Sequence, residues 1–195
     1  RPLAFASGQP PGSVPGGCTL PVTTHLFEIV RERVALTFHV AAAKAATRGD
    51  IYDAAREMTV LKQAASSAAE FGLSRVAALT FAQVQADCSK QLEQFWLSTW
   101  GLAPPAPSMS LEEVRAQLTK LNHAALMTWQ QAVGGEWPAK GCTCLSSSLS
   151  PLFASTFVIN GTCGGEIFRE MMLGALVSAM SPPCQGVTME PPPGL

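Results

Sequence analysis

The chain has 195 residues, of which 47% are hydrophobic and only 14% charged. That is enough apolar material for one sizeable core, and it excludes a disordered chain. A net charge of −1 implies no general basic face, so nucleic acid is not an expected partner. No apolar run reaches the roughly 18 residues of a membrane helix, so no membrane span is expected either.

Residues 1–21 hold Pro2, Pro10, Pro11, Pro15 and Pro21 among several glycines and read as an irregular N-terminal arm. The start, Arg1-Pro2-Leu3, shows no leader and reads as a mature chain left after removal of a signal peptide. From Val22 to Ala103 there is no proline, and Gly49, Gly72 and Gly101 divide the span into segments of helix-forming composition. The first predicted helix covers 24–47, with Leu26, Ile29, Val30, Val34 and Phe38 at helical spacing. The second begins after Asp50, read as its cap, and runs to Phe71. The third follows Ser74 and runs to about Trp100.

Pro104, Pro105 and Pro107 then force a loop. Ser110-Leu111-Glu112-Glu113 has the form of a capping box and opens a fourth helix to about Val133, ended by Gly134-Gly135. Residues 138–151 are loop-like, one or two helices follow, the clearer over 165–180, and 182–195 read as a tail. The expected fold is all-α: one helical domain over 22–181, a bundle of about six helices.

Six cysteines (Cys18, Cys88, Cys142, Cys144, Cys163 and Cys184) are an even number without metal-ligand spacing. They are candidates for disulfides that stabilise the bundle, and they point to an exported, secreted or periplasmic protein. Asn160-Gly161-Thr162 is a glycosylation sequon in that setting. His25, His39 and His123 show no spacing for a metal, and no metal site is expected.

Several polar residues fall where a bundle interior could collect them. Arg33 and Lys44 lie eleven positions apart, about three helical turns, so they point the same way with about 16 Å of axis between them. Asp53 and Arg56 are neighbours on the next helix, with Glu57 following. Gln85, Ser89 and Glu93 recur every four residues on the third. Taken singly, such residues are usually solvated surface. If they are that here, they will not converge in three dimensions.

Together they form the pattern Arg33-x10-Lys44-x8-Asp53-x2-Arg56-Glu57 followed by Ser89-x3-Glu93, which resembles the active-site pattern of AroQ-type chorismate mutases. Glu32-Arg33-Val34, Val40-Ala41-Ala42-Ala43-Lys44 and Gln85-x3-Ser89-Lys90 are similar to the exported gamma subclass. The resemblance covers about residues 24 to 127. It implies three long helices forming the active site, a homodimer, and cofactor-free rearrangement of chorismate to prephenate, a step of aromatic amino acid biosynthesis. It assigns Arg33, Lys44, Arg56 and Glu93 to catalysis, and Asp53, Glu57, Gln85 and Ser89 to substrate binding. In the exported subclass a further arginine enters from the fourth helix. Alignment on Leu121-Asn122 puts Ala124 there, and Lys120, one turn earlier, is the expected substitute. Ala124 and the cysteine-bearing C-terminal region also suit a weak or inactive relative that acts by binding a partner.

Overall fold

A computed structural model of the protein describes residues 20–137. The described residues hold five α-helices and a closing π-helical turn: α1 (Pro21–Ala35), α2 (Thr37–Thr47), α3 (Ala54–Phe71), α4 (Arg75–Trp100), α5 (Leu111–Gln131) and the turn Ala132–Glu136. There is no strand among them. The predicted arm, apart from its last two residues Leu20 and Pro21, lies outside the described residues. So do the later predicted helices, the tail, Asn160 and every cysteine except Cys88. Cys88 is buried and is not a free thiol.

The single helix expected over 24–47 is two helices end to end. Leu36 keeps right-handed helical angles (φ −65°, ψ −17°), yet its carbonyl accepts from both His39 and Val40, a tightened turn at the joint. The buried face continues across it. Leu26, Val30, Arg33, Thr37, Val40 and Lys44, spaced by fours and threes, are all buried.

α1 starts at Pro21, a residue suited to a first helical position. Its free N–H groups are met from the far end of the described chain. Val22 N and Thr23 N donate to Glu136 Oε1 and Oε2 at 2.8 and 2.9 Å, and Trp137 Nε1 donates to Thr23 Oγ1 at 2.8 Å. Gly134-Gly135 therefore does not end the fourth helix as expected. The helix widens into a π-turn through both glycines, and that turn aims Glu136 at the N-terminus of α1.

α3 is capped by Asp53, not Asp50: Asp53 Oδ1 accepts from Arg56 N at 2.9 Å. Gly72, at φ +67°, ends α3 in the left-handed region that glycine adopts without penalty. Ser74 then caps α4, and Ser110 with Glu113 forms the full capping box of α5. α5 packs against α1, α2 and α3, while α4 packs against α2 and α3. The main core gathers Leu26, Val30, Phe81, Leu92, Leu126 and Trp129, with Trp129 fully buried. The Phe81 and Trp129 rings meet at a centroid distance of 5.2 Å.

Candidate functional site

The stripe that is apolar at Leu26 and Val30 turns polar at Arg33, Thr37 and Lys44, and there the helices part around a hollow of about 100 Å³. Every described element except the π-turn lines it. Arg33 comes from α1, Lys44 from α2, and Ile51 and Asp53 from the loop between α2 and α3. Arg56 and Glu57 come from α3, Ser89, Lys90 and Glu93 from α4, and Arg115 and Asn122 from α5.

Lys44 and Glu93 face each other across the floor, both only 5% exposed. Lys44 Nζ donates to Glu93 Oε2 at 2.6 Å and to the Ile51 carbonyl at 2.7 Å. Arg48, in left-handed conformation at φ 53°, ends α2, and Gly49 N closes the turn on Lys44 O at 2.9 Å. That turn brings the chain back so that Ile51 reaches the lysine. Burial pushes the Glu93 carboxyl above the usual carboxylate range, against the opposing pull of Lys44.

Arg33, 6% exposed, is held by neutral oxygens. Nε donates to Asn122 Oδ1 at 2.8 Å, and Nη1 to the Gln85 carbonyl at 3.2 Å and Ser89 Oγ at 3.1 Å. Ser89 Oγ in turn donates to the same Gln85 carbonyl at 2.9 Å. Burial lowers the Arg33 pKa to about 10, with Glu93 opposing and Arg56 adding to the effect. Arg56 likewise donates to neutral acceptors, the Arg115 carbonyl at 3.3 Å and Thr119 Oγ1 at 3.1 Å. Its pKa is lowered by burial and then by Arg115.

The charges in the hollow do not cancel. Three carboxyls line it, and each has its own cation: Glu93 with Lys44, Glu57 with Lys90 at 3.1 Å, and Asp53 with Arg115 at 2.6 Å. Among the described residues neither Arg33 nor Arg56 makes an ion pair, so two guanidiniums are left over. A buried cation without counter-charge is costly. Two planar forks in one enclosed space are suited to a small dianion that presents carboxylates.

Seven residues singled out in the sequence, Arg33, Lys44, Asp53, Arg56, Glu57, Ser89 and Glu93, line this one hollow. They are not scattered over the surface. Asp53 does not orient Lys44 by hydrogen bond; it caps α3 and holds Arg115, and these contacts keep its carboxyl below the usual range, the Arg56 backbone bond most of all.

Two expected residues lie elsewhere. Gln85 contributes its backbone carbonyl to Arg33, but its side chain lines a neighbouring cavity. Lys120 is exposed and lines that cavity too. Lys120 and Ala124 share a face of α5, but it is not the face turned to the hollow, and Ala124 packs against the core. The facing stripe is Arg115, Leu118 and Asn122, spaced by three and four, with Thr119 beside it as a partner of Arg56. Arg115 and Asn122 were missed. Their shared helical face is readable in the sequence, but an alignment on Leu121-Asn122 points to Ala124, about two and a half turns beyond Arg115. Among the described residues no cluster of His, Cys, Asp and Glu is arranged for a metal ion.

Residues 22–94 match the family model described as Chorismate mutase type II. That stretch runs from α1 into α4 and contains all seven residues named above, while Arg115 and Asn122 lie beyond it. Among solved structures, the chain is similar to a chorismate mutase from Burkholderia thailandensis at 23% identity and a TM-score of 0.65, covering 80% of this chain and 99% of that one. It is similar to a chorismate mutase from Burkholderia phymatum at 23% identity and a TM-score of 0.62, over 80% and 95% of the two chains. A secreted chorismate mutase from Yersinia pestis gives 20% identity and a TM-score of 0.64, over 78% and 94%. At these identities the likeness to the solved structures is one of fold. No curated protein matches significantly. The domain match supports an enzyme of the isomerase class.

Proposed function

We propose that the protein is an exported chorismate mutase of the gamma subclass, which rearranges chorismate to prephenate in the hollow around Lys44. The observation that carries this reading is the pair of guanidiniums, Arg33 and Arg56, left without counter-charge where every carboxyl already has a cation. Chorismate brings two carboxylates, the charge this space lacks.

The reaction is a unimolecular pericyclic shift: one C–O bond breaks as one C–C bond forms, and no nucleophile is consumed. The protein's task is to hold the compact reactive conformer and to stabilise charge on the ether oxygen. Arg33 and Arg56 grip the carboxylates, and Arg115 adds the cation from α5. Lys44, steadied by the Ile51 carbonyl, donates to the ether oxygen. Glu93 flanks the same oxygen and donates there in its protonated form, which its raised pKa favours. Ser89 and Asn122 keep Arg33 in place, and Glu57 accepts from the substrate hydroxyl. With Arg115 available, Ala124 no longer argues for an inactive relative.

Export is supported by the six cysteines, by the buried Cys88 that is not a free thiol, and by the secreted Yersinia enzyme among the fold neighbours. We take the cysteines to form stabilising disulfides and the chain to assemble as a homodimer, as the resemblance implies. Every group assigned a role above comes from one chain, so activity is expected not to depend on assembly.

The test is a direct assay on purified protein, following loss of chorismate absorbance together with prephenate formation. Turnover by the parent chain is expected, and Lys44→Ala should reduce kcat by about 10²–10³-fold, the usual cost of one preorganised donor. A parent chain that does not convert chorismate ends the enzymatic reading. A Lys44→Ala loss below about tenfold removes the role given to the lysine.

A further inference from the structure

Beside the hollow, α3, α4 and α5 enclose a second cavity of about 370 Å³. Its size falls within the range of small-molecule sites. The two spaces share Val60 and Asn122 as walls, but Arg33, Lys44, Arg56 and Glu93 do not line the second. Its walls are mainly apolar, with Ala64, Phe81, Ala82 and Leu126 inside.

Two features show what would fit there. The first is an unmatched acceptor. Gln85 is 2% exposed, and its Nε2 donates to the Phe81 carbonyl at 3.3 Å, which fixes the orientation of the amide. Oε1 is then left buried with no partner among the described residues. A buried acceptor without a donor costs about 1–3 kcal/mol, so an occupant is favoured whose donor reaches it after a small shift of the Gln85 side chain. The second feature is charge. Lys120, exposed, and His123 line the cavity, while no Asp or Glu among the described residues does. Lys120 makes no ion pair among the described residues, so it is available to an anion.

We propose that this cavity is a second small-molecule site, separate from the catalytic hollow, for an aromatic carboxylic acid that carries a hydroxyl. The ring lies between Phe81, Ala64 and Leu126. The hydroxyl donates to Gln85 Oε1, and the carboxylate lies toward Lys120. This goes beyond the mutase reading and does not depend on it.

The experiment is calorimetric titration of the full chain with 4-hydroxyphenylacetate, alongside 4-methylphenylacetate, which lacks the donor, and 4-ethylphenol, which lacks the carboxylate. We expect one molecule bound per chain. Affinity should fall about tenfold for the methyl analogue and about two- to fivefold for the ethylphenol, whose lost charge contact is exposed. Ser67→Phe, which fills the cavity from α3, should abolish binding, and Arg56→Ala should leave it unchanged. Because Ser67→Phe can also disturb packing, Lys120→Glu at an exposed position is the second variant, expected to weaken binding about tenfold by charge reversal. Binding lost on Arg56→Ala but kept on Ser67→Phe and Lys120→Glu would put the acid in the catalytic hollow and overturn the proposal. Absence of binding by the parent chain up to the solubility limit of the acid would overturn it as well.

Discussion

The two halves of the rod formed by α1 and α2 follow opposite rules on the same face. In the first, Leu26 and Val30 pack with Phe81 and Trp129 into an apolar core. In the second, one turn further on, Arg33, Thr37 and Lys44 occupy equally buried positions among polar groups. Helical spacing selected the buried face in both. It did not select what that face contains. The first half lowers the free energy of the folded chain by removing apolar area from water. The second holds two cations out of water, of which Lys44 has its carboxylate and Arg33 has none, and the unmatched charge is favourable only once an anion arrives.

The comparison breaks most easily at the core. Trp129→Ala should cost about 3–5 kcal/mol of unfolding free energy, because the ring is fully buried and the space cannot collapse around Phe81. Denaturant unfolding measures it, and a loss under about 1 kcal/mol would mean that this end does not support the fold. The next effect belongs to the hollow. Arg115→Ala should lower kcat/KM about ten- to a hundredfold, the worth of one charge-assisted hydrogen bond to a carboxylate. Its unfolding free energy should change little, because its ion pair with Asp53 is about a third exposed on both sides. Unchanged kinetics in this variant, with a loss in Lys120→Ala, would return the carboxylate-binding role on α5 to Lys120.

These two positions also mark how far the sequence could be read. The helix that carries Trp129 is legible from its capping box, and the all-α class follows from glycine spacing and the proline-free span. The four residues expected to act together do meet: each comes from a different helix, on the side that lines the hollow. What failed to carry over depended on contacts between distant segments. The π-turn could not be foreseen from Gly134-Gly135, because its value lies in bringing Glu136 to Val22 and Thr23. Asp50 and Asp53 are equally good caps on composition, and Arg115 settles the choice by binding Asp53 from another helix. Gln85 belongs to the polar stripe of α4, yet the stripe is wider than the hollow, so its side chain opens onto the neighbouring cavity.

A smaller effect, graded with pH, sharpens the contrast. Burial raises the Glu93 pKa, so the neutral form that can donate a proton persists to higher pH than in an ordinary glutamate. Activity should therefore fall as pH rises through that raised value, about tenfold per unit beyond it. Stability has the same sign. A carboxyl whose folded pKa is raised contributes fully below its unfolded pKa, and the contribution is lost as pH rises through the folded one. Glu93→Gln should flatten both profiles. A parent pH–rate profile that superimposes on that of the variant would remove the protonated glutamate from the mechanism.

The smallest expected change tests the contrast at its centre. Arg33 and Leu26 are buried on the same stripe seven residues apart, so burial alone would predict equal cost for removing either. The physical argument predicts otherwise. Arg33→Met keeps the length and apolar stem of the side chain and deletes a cation that has no counter-charge among the described residues. The Gln85 carbonyl keeps its bond from Ser89 Oγ at 2.9 Å, which leaves Asn122 Oδ1 as the main group to lose a partner. The lost hydrogen bonds and the relieved desolvation should therefore nearly offset, and unfolding free energy should stay within about 1 kcal/mol of the parent, while chorismate turnover collapses. A destabilisation as large as that of Trp129→Ala would show that Arg33 is a structural strut, and the hollow would then lose one of the two guanidiniums on which its preference for a dianion depends.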